Sequence, residues 1–168
     1  MSRCSSSLLA ALLATAAHGA FLQGFATSRP LSRPAQVRHR EPVVMATRGV
    51  VITGGAAGVG YAYADEFMRL GHWVCICDVK DPSAAVETLR KKHEGGIARI
   101  FGAECDVSDA DSVVEFSKYA QDSLGTIHYW INNAGINGGR RPFSEVPTKV
   151  VEAVVKVNLG GVLICTQV

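Results

Sequence analysis

The stretch GVVITGGAAGVG, Gly49 to Gly60, decides how this chain is read. Its first five residues are a short β-branched run, the composition of a strand buried on both faces in a parallel sheet. Gly54, Gly55, Gly58 and Gly60 then crowd into a turn, with Val59 between the last two. Tyr61 to Leu70 follows with helical spacing through Ala64, Phe67 and Met68, and Gly71 stops it.

The same alternation continues outward. HWVCICD (His72 to Asp78) reads as a second strand, and Asp81 to Glu94 as a charged surface helix with Pro82 in its first turn and Gly95-Gly96 at its end. A third strand over about Ala98 to Ala103 leads to Asp106, after which Ser108 or Asp109 can cap a helix that runs to Leu124 and stops at Gly125. IHYWI (Ile127 to Ile131) is the fourth strand, followed by the turn NNAG (Asn132 to Gly135), a polar loop with Gly138, Gly139 and Pro142, and a last helix from Pro147 to Cys165. Strictly alternating strands and helices call for right-handed crossovers and an α/β, doubly wound parallel sheet.

In that setting the glycines acquire a chemistry. Gly54 can take the unusual dihedrals of the turn, Gly58 lets the backbone approach a pyrophosphate, and Gly60 lets the helix pack closely on the sheet. The helix N-terminus offers free N–H groups and about half a positive charge to an anion. A tight turn can use glycine without any ligand, but Asp78 adds a second signal. It closes the second strand 18 residues beyond Gly60, where a dinucleotide fold sets a carboxylate against the adenosine ribose. A carboxylate accepts from a 2′-hydroxyl and repels a 2′-phosphate, so NAD(H) is favoured, while nearby Lys80 leaves NADP(H) possible.

TGGAAGVG, Asp78, CDV (Cys105 to Val107), NNAG and VNLGG (Val157 to Gly161) together resemble the short-chain dehydrogenase/reductase family, in order and spacing, over residues 48 to 168. The resemblance implies a Rossmann fold and a reductase acting on a small carbonyl substrate. It also implies that Asp106, with Val107 beside it, meets the adenine, and that Asn133, Ala134 and Gly135 lie along the cofactor. Asn158 would hold a helix kink and a water of the proton relay, and a complete member is expected to form homo-oligomers. Within the family, GYAYADEF, YWINNAGIN and VVKVNLGGVLIC are most similar to chlorophyll b reductases, plastid enzymes that reduce the 7-formyl group of chlorophyll b. That points to a chlorophyll pigment as substrate, with a 3-oxoacyl thioester or another carbonyl as the alternative. Asp78-Val79 departs from that group, which usually carries a Ser or Arg-bearing segment there, and Gly139-Arg140-Arg141 is local to this chain.

The family's catalytic Tyr, with Lys four residues later, is not matched by Tyr61, Tyr63, Tyr119 or Tyr129. The reading therefore expects an incomplete domain over residues 46–168, holding four strands of the first half. It expects no turnover from it alone. The rival reading is a non-catalytic dinucleotide-binding module or a pseudogene product.

Residues 1–45 read as an address. Arg3 precedes the apolar run Leu8 to Ala17, small residues follow, and Phe21 to Arg40 is Arg-rich, acid-free and hydroxyl-bearing. This resembles the bipartite leaders of plastids acquired by secondary endosymbiosis, with a plain secretory signal and linker as the alternative. From Gly49 onward 11 Lys/Arg stand against 14 Asp/Glu, a body without the basic patch that nucleic acid requires. Cys75, Cys77, Cys105 and Cys165 lack metal-ligand spacing and read as buried reduced thiols, with no metal expected.

Overall fold

Val50, Val51 and Ile52 expose no surface at all, which makes β1 (Gly49–Thr53) the strand around which the others assemble. In the computed structural model, which describes residues 46–168, β2 (Trp73–Asp78) pairs with it in parallel on one side. β4 (Tyr129–Ile131) pairs on the other side, and β3 (Arg99–Glu104) lies outside β2. The order β3-β2-β1-β4 places a topological switch point between β1 and β4, where ligands of open α/β sheets bind at the carboxyl ends of the strands. The architecture is the doubly wound parallel sheet that the alternation of strands and helices requires.

Period-two alternation divides the core. Val50, Ile52, Val74 and Ile76 face α1 (Gly58–Arg69) and α2 (Ser83–Lys92), meeting Ala64, Met68, Val86 and Leu89. Val51, Cys75 and Cys77 face the other way, onto Val113, Phe116, Ala120 and Leu124 of α3 (Ala110–Leu124) and Cys165 of α5 (Gly161–Thr166). All four body cysteines are free and buried, and burial pushes the Cys75 thiol up to about 12 and that of Cys165 up to about 11. Among the described residues no group of three or more His, Cys, Asp or Glu could hold a metal ion.

Several element boundaries differ from the sequence reading. α1 opens at Gly58 rather than Tyr61, so two of the turn glycines belong to the first turn of the helix. β4 starts at Tyr129 rather than Ile127, because the Nδ1 of His128, not a backbone carbonyl, accepts the Gly49 N–H at 2.9 Å. The predicted helix from Pro147 to Cys165 is three pieces: α4 (Thr148–Val155), a π-type segment over Lys156–Gly160, and α5. Asp109, not Ser108, caps α3, its carboxylate accepting from the N–H groups of Asp111 at 3.0 Å and Ser112 at 3.4 Å. The leader reading of residues 1–45 lies outside the described residues.

Candidate functional site

Where β1, β2 and β4 end, the chain leaves a cleft of about 560 Å³, within the range of small-molecule and cofactor sites. Its base is the glycine turn. Gly54 takes φ 65°, and a Cβ there would stand 2.8 Å from the Cα of Ala134, so the turn after β1 and the turn after β4 touch only because this residue has no side chain. Gly58 takes φ 57° with nothing within 4 Å of a Cβ, so it faces open space on the cleft side of α1. Ala57 caps α1 without a side-chain hydrogen bond, and the first turn holds no acid. The opening N–H groups of the helix and its positive end are therefore left to an anion in the cleft. Val59 stands 61% exposed at the mouth.

Gly60 does not line the cleft. It is buried, and a Cβ on it would meet the Gly54 carbonyl and lie 2.6 Å from Asn133 Nδ2. Its contribution is the close seating of α1, through which the glycine turn is held in place.

Thr53, which the sequence reading passed over as a strand former, ties the two turns together. Its buried hydroxyl accepts from the N–H groups of Asn133 and Ala134, each at 3.0 Å, and reaches the Ile131 carbonyl at 3.5 Å. The side-chain amide of Asn133 donates in return to the carbonyls of Thr53 at 2.9 Å and Gly54 at 3.1 Å. Asn133, Ala134 and Gly135 thus form one rigid wall of the cleft. A hydroxyl residue between a β-branched run and a glycine turn was the available signal.

On the other side of β1, the carboxylate of Asp78 accepts the Ala56 N–H at 3.2 Å, which sets it beside the glycine turn at the edge of the cleft. Asp106 also lines the cleft, but its Oδ1 accepts from the N–H of Ser108 at 2.9 Å and its hydroxyl at 2.7 Å. Those Ser108 bonds, the hydroxyl foremost, hold the Asp106 carboxyl below the usual range. Val107 is nearly buried between the cleft and Gly161. Asn158 is outside the lining: its Oδ1 accepts the Ile136 N–H at 2.8 Å and its Nδ2 donates to the Ile136 carbonyl at 2.9 Å. Sitting in the π-type segment, it fixes the chain that leaves the NNAG turn. Ala57, Val79, Cys105, Ile136 and Val157 complete the lining, and the sequence reading assigned none of them to the cofactor site.

The pattern of the short chain dehydrogenase family matches residues 48–168. The chain belongs to that family. The chain is 35% identical over 147 residues to a chlorophyll(ide) b reductase of Arabidopsis thaliana named as chloroplastic, covering 84% of this chain and 41% of that protein. It is also 35% identical over 136 residues to a probable chlorophyll(ide) b reductase of Oryza sativa subsp. japonica, likewise named chloroplastic, covering 71% of this chain and 27% of that one. Among solved structures it resembles levodione reductase, with a TM-score of 0.65 and 29% identity over 71% of this chain and 46% of that one. A short-chain dehydrogenase of Burkholderia phymatum in complex with NAD matches with a TM-score of 0.63 and 27% identity, covering 72% of this chain and 42% of the other. The chain therefore spans less than half the length of these relatives.

Proposed function

We propose that the cleft binds NAD(H) in preference to NADP(H), as the cofactor half of a carbonyl reductase. Asp78 carries this reading: it is a carboxylate set beside a glycine turn whose neighbouring helix end is free for an anion. The fit rests on the shape of the chain. The open side of Gly58 accepts a pyrophosphate that a Cβ would crowd, and the wall of Asn133 to Gly135 lies across β1 from the ribose carboxylate. When bound, NADH supplies a hydride from C4 of its nicotinamide. The chain's own residues bind and orient it: Gly54, Gly58, Val59 and Gly60 shape the phosphate turn, Asp78 holds the ribose, Asp106 and Val107 flank the adenine. Asn158 positions the loop beyond Gly135.

A 2′-phosphate placed near 4 Å from the Asp78 carboxylate meets a repulsion of up to about 4 kcal/mol at an effective dielectric of 20. Titrating the protein with each nucleotide while following fluorescence should give NADH at least tenfold tighter than NADPH, and Asp78→Ser should narrow the gap. Equal affinities in the unchanged protein would overturn the cofactor reading.

For the whole protein, the substrate reading is the 7-formyl group of chlorophyll b or chlorophyllide b, reduced in a plastid. The similarity to chlorophyll(ide) b reductases named chloroplastic supports it, as does the leader-like composition of residues 1–45. Incubation with NADH and chlorophyllide b should remove the formyl-shifted absorption band, whereas turnover of a 3-oxoacyl thioester alone would remove the pigment and leave the cofactor assignment. A fluorescent fusion of residues 1–45 should enter the plastid of an alga with a secondary plastid, and secretion would refute that destination.

A further inference from the structure

α4 holds five apolar side chains in eight residues, and none of them is buried. The loop from Gly138 to Val146 folds back against Val151, Val154 and Val155 of this helix and leaves a groove of about 240 Å³, with Phe143 standing 79% exposed at its edge. The groove adjoins the cofactor cleft: Ile136 lines the cleft and Gly138 lines the groove.

One side chain on the rim is out of keeping with the rest. Arg141 lines the groove among the valines, and neither it nor Arg140 takes part in the ion pairs formed among the described residues. Its position is set by the loop. Asn158 clamps Ile136 at one end, and the Asn137 side chain accepts the Gly139 N–H at 2.9 Å. Gly139 takes φ 85°, and the Arg141 Nη2 lies 3.6 Å from where a Cβ on that glycine would stand. The guanidinium therefore rests over bare backbone, with its donor fork unmatched by any carboxylate among the described residues.

A planar cation at the edge of an apolar trough is complementary to a ligand with an apolar body and a single carboxylate, which a guanidinium grips with two parallel hydrogen bonds. We propose that this groove is part of the substrate site, receiving the apolar edge of an amphiphilic carbonyl compound whose carboxylate pairs with Arg141. The inference rests on the carbonyl-reductase reading and sharpens it. At 240 Å³ the groove holds one edge and side arm of a macrocycle rather than the whole of it. Of the two pigments, it selects chlorophyllide, whose propionate is free, over chlorophyll, in which that group is an ester.

The test needs no turnover. The protein is titrated at pH 7 with two pairs of fluorescent probes, cis-parinaric acid against its methyl ester and chlorophyllide b against its methyl ester. Each acid should bind at least tenfold tighter than its ester. Arg141→Gln should bring the acids down to the esters and leave the esters unchanged, Arg141→Lys should keep part of the preference, and Arg140→Gln should leave both pairs unaltered. Val154→Trp, which fills the floor, should weaken acid and ester alike. Equal binding of acid and ester, no binding of either pair, or an Arg141→Gln loss shared equally by both members overturns the proposal. An acid preference confined to cis-parinaric acid would keep the groove and sink the pigment. Reduction of chlorophyllide b by the whole protein without any acid preference would do the reverse.

Discussion

Gly58 and Gly60 stand two residues apart in the same turn, yet they answer to different constraints and separate under mutation. At Gly58 a methyl meets open space but the φ of 57° is costly for alanine, by roughly 1 to 2 kcal/mol. Gly58→Ala should therefore fold with a modestly lower urea midpoint while losing most NADH affinity, because the methyl stands where the pyrophosphate approaches. At Gly60 the methyl would strike the Gly54 carbonyl and the Asn133 side chain, and Gly60→Ala should cost about 1 to 3 kcal/mol of stability as an overpacked contact. A Gly60→Ala variant as stable as the unchanged protein would show that the turn is looser than its geometry. Thr53 yields a second residue-level prediction. Thr53→Val keeps the shape but leaves the N–H groups of Asn133 and Ala134 without their acceptor, so stability should fall by about 1 to 3 kcal/mol per stranded group and Thr53→Ser should restore it. Denaturant unfolding of the three proteins decides this, and a valine variant as stable as the serine one would refute it.

Among the elements, the strands and the glycine turn were legible from their residue types: a short β-branched run that ends in glycine is the pattern of a strand buried on both faces of a parallel sheet. The broken last helix was not legible from its own residues. VVEAVVKVNLGGVLIC keeps helical spacing throughout, and the extra residue of the π-type segment becomes necessary only once Asn158 must reach both backbone groups of Ile136. The sequence reading found β4 but started it two residues early for a similar reason, since the ring of His128 replaces a ladder bond. In the site, the charged and glycine positions could be named in advance, whereas the part of Thr53 depends on contacts some 80 residues apart in the chain. The clamp at Asn158 predicts its own signature. Asn158→Leu removes both hydrogen bonds, so the Ile136 amide should lose its protection from hydrogen exchange and the loop bearing Arg141 should loosen with it. Asn158→Asp, which keeps the acceptor, should retain part of that protection. Unchanged exchange at Ile136 in the leucine variant would mean that the loop is held by something else.

Across the whole molecule, two apolar layers pack on the sheet and only two polar side chains, Thr53 and His72, are buried among the described residues. His72 lies against the Phe67 ring, with centroids 5.9 Å apart, and its Nδ1 accepts the Arg48 N–H at 3.2 Å. An imidazole that accepts there must be neutral. Burial foremost, then the charges of Arg48 and His128, hold the folded His72 below its ordinary value. The sign of the pH dependence follows: the unfolded chain takes up a proton near pH 6.5 while the folded chain resists, so U binds more protons than N and stability falls as pH drops from about 6.5 through the folded value. Within that window the loss approaches about 1.4 kcal/mol per pH unit, and above it this residue contributes no slope. Melting temperatures from pH 7.5 down to 5.5 should show the decline. His72→Gln, whose side-chain oxygen can accept the same N–H without titrating, should flatten the curve in that range at some cost in packing. A glutamine variant that declines in parallel with the unchanged protein would assign the acid sensitivity to groups elsewhere. Buried on the strand's amino side, away from the cleft, His72 should alter stability without changing the relative affinities for NADH and NADPH.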